Sequence, residues 1–314
     1  MDGVSVILTY YNGKRFIQEQ IDSLCNQTRA FDELLIFDDC SKQEHKDYLE
    51  RYVRTRTENI KIFYNPKNLG YAGNFLNGCK YANYEIVFLC DQDDLWEPTK
   101  IEEMTKIMKV KQDINLLACD IEPFYYSKNA PKWDADNLKT MSDSGVIEFM
   151  VPSFSSIHIQ RSGSAMCFRK TFFEDIIPFW IDRWAHDDFL WKCALFTNSL
   201  AIYHKKLLHR RIHDSNTSEL KIRSLQWRIE ELQDMINQLE ALHNYTSSKL
   251  IGSEKNSGII SHNIDGLHER IKFLKGNNPL RWINVATKYK DTFPRIKGLY
   301  LDAYLFLFKT YEAK

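Results

Sequence analysis

Ile86-Val87-Phe88-Leu89-Cys90-Asp91-Gln92-Asp93-Asp94 runs from an unbroken apolar stretch straight into three carboxylates in four residues. A short apolar run rich in β-branched and aromatic residues reads as a buried strand, so the carboxylates are predicted at its carboxyl end. The same figure recurs on the amino-terminal side. Val4-Ser5-Val6-Ile7-Leu8-Thr9 ends at the turn-like Tyr10-Tyr11-Asn12-Gly13, and Leu34-Leu35-Ile36-Phe37 ends at Asp38-Asp39. Ile60-Lys61-Ile62-Phe63-Tyr64 is a further strand. Helical patterns lie between them: Phe16, Ile17, Ile21 and Leu24 share a face, and residues 44 to 54 and Gly73 to Tyr81 are helical. Strand and helix in alternation imply an α/β fold, a mostly parallel sheet flanked by helices on both faces. In open α/β sheets ligands bind beyond the carboxyl ends of the strands. Tyr10 to Asn12, Asp38-Asp39 and Asp91 to Asp94 are therefore predicted to share one rim.

Farther along, Leu116 to Asp120 and Leu200 to His204 read as strands, and the polar stretch Tyr125 to Ser144 reads as a loop able to move over the site. After Ser218 the character changes. Leu225, Ile229, Leu232, Ile236 and Leu239 step by four and three, as do Ile260, Ile264, Leu267, Ile271 and Leu274. Each set is a narrow apolar seam on a helix, and the polar stretch Ser247 to Gly258 between them suggests a helical hairpin. A last helix is expected near Lys297 to Tyr311. The division is then an α/β domain over residues 1–218 and a C-terminal helical region over 219–314. The seams can pair with each other, with the α/β domain or with a second chain, and a homodimer through these helices is the expectation. The last helix, with Tyr300, Tyr304, Phe306 and Phe308, also suits peripheral contact with a membrane surface, although Asp302 and the modest basic charge weigh against it.

Composition narrows the classes. The 42 basic and 42 acidic residues cancel, which argues against nucleic acid as a partner. The seven cysteines show no C-x-x-C spacing, so a structural zinc site is not expected and free buried thiols in a reducing compartment are. A strand beginning at Val4 leaves no room for a signal peptide, and no apolar run approaches a membrane span. The expected location is the cytoplasm, with contact at the inner face of the membrane kept open.

The polar clusters carry the chemistry. Carboxylates as close as Asp91, Asp93 and Asp94 repel one another unless a cation neutralises them. Oxygen ligands select a hard ion, Mn²⁺ or Mg²⁺, which bound also to a diphosphate would stabilise a departing nucleoside diphosphate. The plain alternative is an acidic helix start. Asp38 or Asp39 can accept a hydrogen bond from a base or a ribose, or form a turn with Ser41 capping the next helix. His186-Asp187-Asp188 lies between Trp184 and Trp191, a setting that can hold a general base, or it is an acidic first turn. Arg211-Ile212-His213 can bind a diphosphate or complete a metal shell, or be a surface loop.

Together these segments resemble glycosyltransferase family 2, the inverting enzymes of GT-A (Rossmann-like) fold. The matching text is Val6 to Asn12, Phe37 to Ser41, Asn68-Leu69-Gly70 with Asn74, Phe88 to Trp96, Gly163 to Met166, His186-Asp187, and Arg211-Ile212-His213 with Asn216. It covers roughly residues 3 to 218 in the family's order, and is most similar to bacterial rhamnosyltransferase-like members. The resemblance implies a GT-A catalytic domain in which Thr9, Tyr11 and Asp39 frame the nucleotide base, with Asp38 beside them. It places Asn12, Asn68, Gly70, Asn74 and Arg211 among the nucleotide-sugar-binding residues. Asp91 and Asp93 would serve the donor and the metal, with Asp94 and His213 as further ligands, and Asp187 would be the base. Cys40 stands where many members have glycine. Asp188 stands where relatives usually have an aromatic residue, so either carboxylate can be the base. The implied donor is dTDP-rhamnose or a UDP-sugar. The implied acceptor is a lipid-linked glycan or glycoprotein of bacterial surface polysaccharide or glycan synthesis. Two other readings remain: a metal-dependent nucleotidyltransferase or phosphohydrolase, though no G-x-G-x-x-G is present, and a non-catalytic nucleotide-sugar-binding module.

Overall fold

The computed structural model describes residues 3–56, 59–127, 130, 140–158, 160–213, 224–249 and 254–308. Four strands form the parallel half of one sheet: β1 (Val4–Tyr10), β2 (Glu33–Asp38), β3 (Ile60–Tyr64) and β4 (Ile86–Cys90), in the order β3-β2-β1-β4. The register pairs Leu8 with Cys90 and Tyr10 with Asp38. All three carboxyl ends therefore finish level, and the polar clusters that follow them do share a rim.

The other half is mixed. β5 (Leu95–Trp96), β6 (Leu116–Tyr125), β7 (Ile147–Phe149), β8 (Met166–Arg169) and β9 (Leu200–Ile212) continue the sheet as β4-β8-β6-β9-β5, with β7 on β9. β8 is antiparallel to β4 and to β6, while β6 and β9 are parallel. The predicted strand at Leu116 runs on to Tyr125 because a register shift around Asp120 lets the chain bend and keep pairing.

Helices α1 (Ile17–Cys25), α2 (Gln43–Val53) and α4 (Lys100–Val110) cover one face of the sheet; α3 (Gly70–Cys79), α5 (Lys170–Ile176) and α6 (His186–Phe196) cover the other. Alternation along the strands supplies both cores: Val6, Leu8, Leu34 and Ile36 pack one way, Ile7, Leu35 and Phe37 the other. The helical region consists of α7 (Leu225–Ser248), α8 (Glu254–Lys275), α9 (Arg281–Lys288) and α10 (Ile296–Phe308). Its seams are consumed inside the chain. Leu232, Ile236, Leu239, Ile260, Leu267 and Leu274 are buried in the same apolar cluster as Trp184, Leu190 and Phe196 of the α/β part. The stripes on which the homodimer expectation rested are thus largely taken up by packing within the chain, with Leu225 and Ile264 half-buried. The predicted boundary at 218/219 lies outside the described residues, as do Asn216 and most of the Tyr125 to Ser144 loop.

All seven cysteines are free thiols. No described helix is long and apolar enough to cross a membrane.

Candidate active site

The rim is stitched together by its own turns. Asn12 takes a left-handed φ of 50°, which asparagine tolerates better than most residues. From there its N–H donates to Ser41 Oγ at 2.8 Å and its Oδ1 accepts from Lys42 N–H at 2.9 Å. Ser41 is thereby a tie between turns, and the residue at the N-cap of α2 is Lys42. Gln92 clasps the Tyr11 backbone from both sides, accepting from its N–H at 2.9 Å and donating to its carbonyl at 3.2 Å. A side chain at position 13 would collide with this clasp, since a Cβ on Gly13 would sit 2.1 Å from Gln92 Oε1.

The β2 end carries a buried polar cradle. Asp39 Oδ1 accepts from Asn65 Nδ2 at 2.9 Å and from Leu69 N–H at 2.8 Å, and Asn68 Nδ2 donates to the Asp39 carbonyl. Asn65 also donates to Asn74 Oδ1, and Asn74 Nδ2 donates to the Phe37 carbonyl at 2.9 Å. Cys40 takes a left-handed φ of 67°, a region that favours glycine, and Gly70 has its own positive φ of 70° where α3 begins beneath Asn68.

Between these turns lies a cleft of about 660 Å³ lined by Thr9, Tyr11, Asn12, Asp39, Asn68, Gly70 and Asn74 on one side and by Asp91, Asp93, Asp94, Arg210 and His213 on the other. That volume suits a drug-sized or nucleotide-sized ligand. The short β5, pairing Leu95 with His209 and Trp96 with Leu208, brings the carboxylate cluster alongside the end of β9. There His213 Nε2 lies 2.8 Å from Asp93 Oδ2.

Asp91 keeps some exposure to the cleft, yet its low-dielectric surroundings and then the charges of Asp94 and Asp93 raise its carboxyl pKa, against the pull of Arg210. Burial and Asp93 raise the carboxyl pKa of Asp94 as well. Asp94 is enclosed: Oδ2 accepts from Ser164 Oγ at 2.8 Å and Oδ1 from Arg211 N–H at 3.1 Å. Among the described residues no three His, Cys, Asp or Glu side chains converge into a metal cage, so the predicted set of Asp91, Asp93, Asp94 and His213 is not assembled as one. The donor chemistry still fits a hard cation. Such an ion often takes one or two carboxylates and completes its shell with substrate phosphates and water, and Asp91 and Asp93 are the two that qualify.

The pair at the start of α6 is now distinguishable. Asp188 Oδ2 accepts from Trp184 Nε1 and from Lys192 Nζ, both at 2.7 Å. Asp187 Oδ1 accepts the Asp188 N–H at 2.9 Å, a bond that fixes the carboxylate at the positive end of the helix. Asp187 does not itself line the cleft. Tyr71 does; its ring lies 6.0 Å from that of His186, the residue before Asp187, and its hydroxyl pKa is raised by burial and then by Asp187 and Asp188. His186 is a buried wedge rather than a ligand. It stacks on Phe75 at 4.2 Å between centroids, its ring nitrogens have no hydrogen-bond partner among the described residues, and burial lowers its pKa.

Two predicted donor-binding residues stand back from the cleft. Asp38 is fully buried, accepts from Ser41 N–H at 3.2 Å and faces Lys46 at 3.6 Å. Arg211 turns under the rim, donating to the Asp93 carbonyl at 2.9 Å and pairing with Glu19 at 2.6 Å. Its neighbour Arg210 lines the cleft instead, together with Arg15, Gln92 and Tyr71, none of which the sequence singled out as donor contacts.

Residues 5–174 match the family model described as glycosyl transferase family 2. An uncharacterized glycosyltransferase of Rickettsia typhi is 26% identical over 280 residues, which cover 83% of this chain and 83% of that relative. Two solved structures share the fold. TarS 1-349 of S. aureus in complex with UDP-GlcNAc superposes with a TM-score of 0.60 at 16% identity, covering 95% of this chain and 84% of that one. The mannosyltransferase PcManGT of Pyrobaculum calidifontis in complex with GDP-Man and Mn2+ gives 0.54 at 14% identity, covering 100% and 89%.

Proposed function

The chain belongs to glycosyltransferase family 2, and from that premise we propose that it transfers a sugar, with inversion at the anomeric carbon, from a pyrimidine nucleoside-diphosphate donor to a glycan hydroxyl. The observation that carries this reading is the shape of the cleft. A polar cradle of Asp39, Asn68 and Asn74 faces the carboxylates Asp91 and Asp93 across about 660 Å³. Base and ribose would lie on the first side and the diphosphate on the second. A UDP-sugar or dTDP-rhamnose is the donor. Family membership favours sugar transfer over the nucleotidyltransferase, phosphohydrolase and binding-module readings.

In the chemical step the acceptor oxygen forms a bond to the anomeric carbon as the bond from that carbon to the diphosphate oxygen breaks. Asp187 takes the acceptor proton, and Asp188, held by Trp184 and Lys192, keeps the helix start in place. Arg210 and Arg15 bring positive charge to the diphosphate side of the cleft. A bound Mn²⁺ or Mg²⁺ would neutralise charge on the leaving group, with Asp91 and Asp93 to hold it and His213 to orient Asp93. The Mn2+ in PcManGT supports such a cation. The acceptor is a lipid-linked or protein-linked glycan, and the setting is the cytoplasm.

A panel of nucleotide sugars with Mn²⁺ tests the reading. A UDP-sugar or dTDP-rhamnose should raise the melting temperature, and NMR of the transferred product should show the opposite anomeric configuration to the donor. Stabilisation by purine donors alone would overturn the base assignment. Retained configuration would overturn the role given to Asp187.

A further inference from the structure

The end of the chain leaves an apolar face uncovered. Apart from the exposed Lys297 at its start and the buried Asp302, helix α10 is apolar. Leu299 and Leu305 are buried against the bundle, while Ile296, Tyr300, Tyr304 and Leu307 form an outer stripe exposed by 60, 62, 52 and 68%. Their spacing of four, four and three keeps them on one side of the helix. A helix apolar on every side is normally enclosed, so this stripe has a partner to find. Just before it, Leu280 at the N-cap of α9 and Ile283 within that helix are exposed, with Lys288 exposed at its end.

Charge selects the partner. From Lys272 to Phe308 the chain carries seven Lys and Arg against two acidic residues, although the whole chain is neutral; Lys272 and Arg281 pair with Glu269 just before this stretch, and Lys275, Lys288, Lys290, Arg295 and Lys297 carry the remaining positive charge. Both acids are engaged. Asp302 is fully buried between Arg228 Nε at 2.9 Å and Arg270 Nε at 2.7 Å, and Asp291 faces His262 at 3.0 Å. The one acidic residue that counted in sequence against a membrane role for α10 therefore points into the protein. A second copy would bring the same basic segment against itself. An anionic lipid surface meets the basic charge with its headgroups and the apolar stripe with its acyl boundary, where tyrosine is well placed.

We propose that the outer face of α10, with the exposed part of α9, docks this protein on an anionic lipid bilayer. The proposal rests on these two helices and holds whichever sugar the cleft takes. The full chain should be floated with vesicles of phosphatidylcholine alone and of phosphatidylcholine with phosphatidylglycerol, at low and high salt. Binding is expected to the mixed vesicles and to weaken at high salt. Tyr300→Glu with Leu307→Glu should cut it by about tenfold or more, the scale of losing a buried apolar contact, with the melting temperature and donor-induced stabilisation unchanged. Lys288→Glu with Lys297→Glu leaves the stripe intact, removes the charge, and should cut binding to mixed vesicles as well. No binding to either vesicle, or equal and salt-independent binding to both, overturns the proposal. Unchanged binding by the lysine pair does the same. So does a dimer at micromolar concentration by light scattering that the Tyr300/Leu307 variant turns into monomer, because the face then belongs to a second copy.

Discussion

Asp187 and Asp188 are chemically identical neighbours, and their partners separate them. Asp188 is neutralised by Lys192 and bonded by Trp184, whereas Asp187 holds only a backbone N–H among the bonds described. Asp187→Asn is expected to lower turnover by about a hundredfold or more, the usual scale for a general base, with donor affinity and melting temperature little changed. Asp188→Asn should lower the melting temperature and affect turnover far less; the reverse pattern would move the base by one residue. The strand-end carboxylates were legible in sequence because nothing apolar explains acids at the close of a buried run. Arg210 was not, because one arginine among 42 basic residues carries no signature. Side chains alternate along a strand, and on β9 that alternation sends Arg210 into the cleft and Arg211 beneath it.

Single elements place these residues. Gly163 packs so closely on His186 that a Cβ would lie 2.4 Å from its Nε2, and the ring cannot swing away because Phe75 backs it. Gly163→Ala should therefore displace the start of α6, lowering turnover more than donor affinity; unchanged kinetics would show that α6 is not so fixed. At the β6 irregularity, Asp120 pairs with Arg161 and with His204, and His204 also meets Glu148. Burial pushes the His204 pKa down and the bonds to Glu148 and Asp120 push it up by more, so it stands above its ordinary value. A raised folded-state pKa adds stability in full below the unfolded value of about 6.5 and loses it as the pH climbs through the folded value. Denaturant midpoints of wild type and His204→Gln should thus converge from about pH 6.5 upward, and a gap independent of pH contradicts this. The parallel strands and the two seams were legible from their period. β5, β7 and β8 were not, since runs of two to four residues show no period.

At the scale of the molecule, one apolar cluster runs from β1 and α3 through α6 into α7 and α8. The sequence shows a change of character after Ser218 but not this continuity, because which helix face meets which sheet face is decided by packing between distant segments. Asp302 marks the inner joint of the helical region. Asp302→Ala would leave Arg228 and Arg270 buried with less compensation and should cost about 3–5 kcal/mol, read from chemical denaturation; a cost under about 1 kcal/mol, the value of a surface pair, would contradict its placement. The whole account turns on sugar transfer at the shared rim, with Asp93 and a divalent cation on the diphosphate side. Release of nucleoside diphosphate from a pyrimidine nucleotide sugar, followed in Mn²⁺ and in excess EDTA for wild type and Asp93→Ala, tests it most directly. The expected result is turnover by wild type in Mn²⁺ alone, with a folded but inactive variant. Full activity of Asp93→Ala, or of wild type in EDTA, would contradict it.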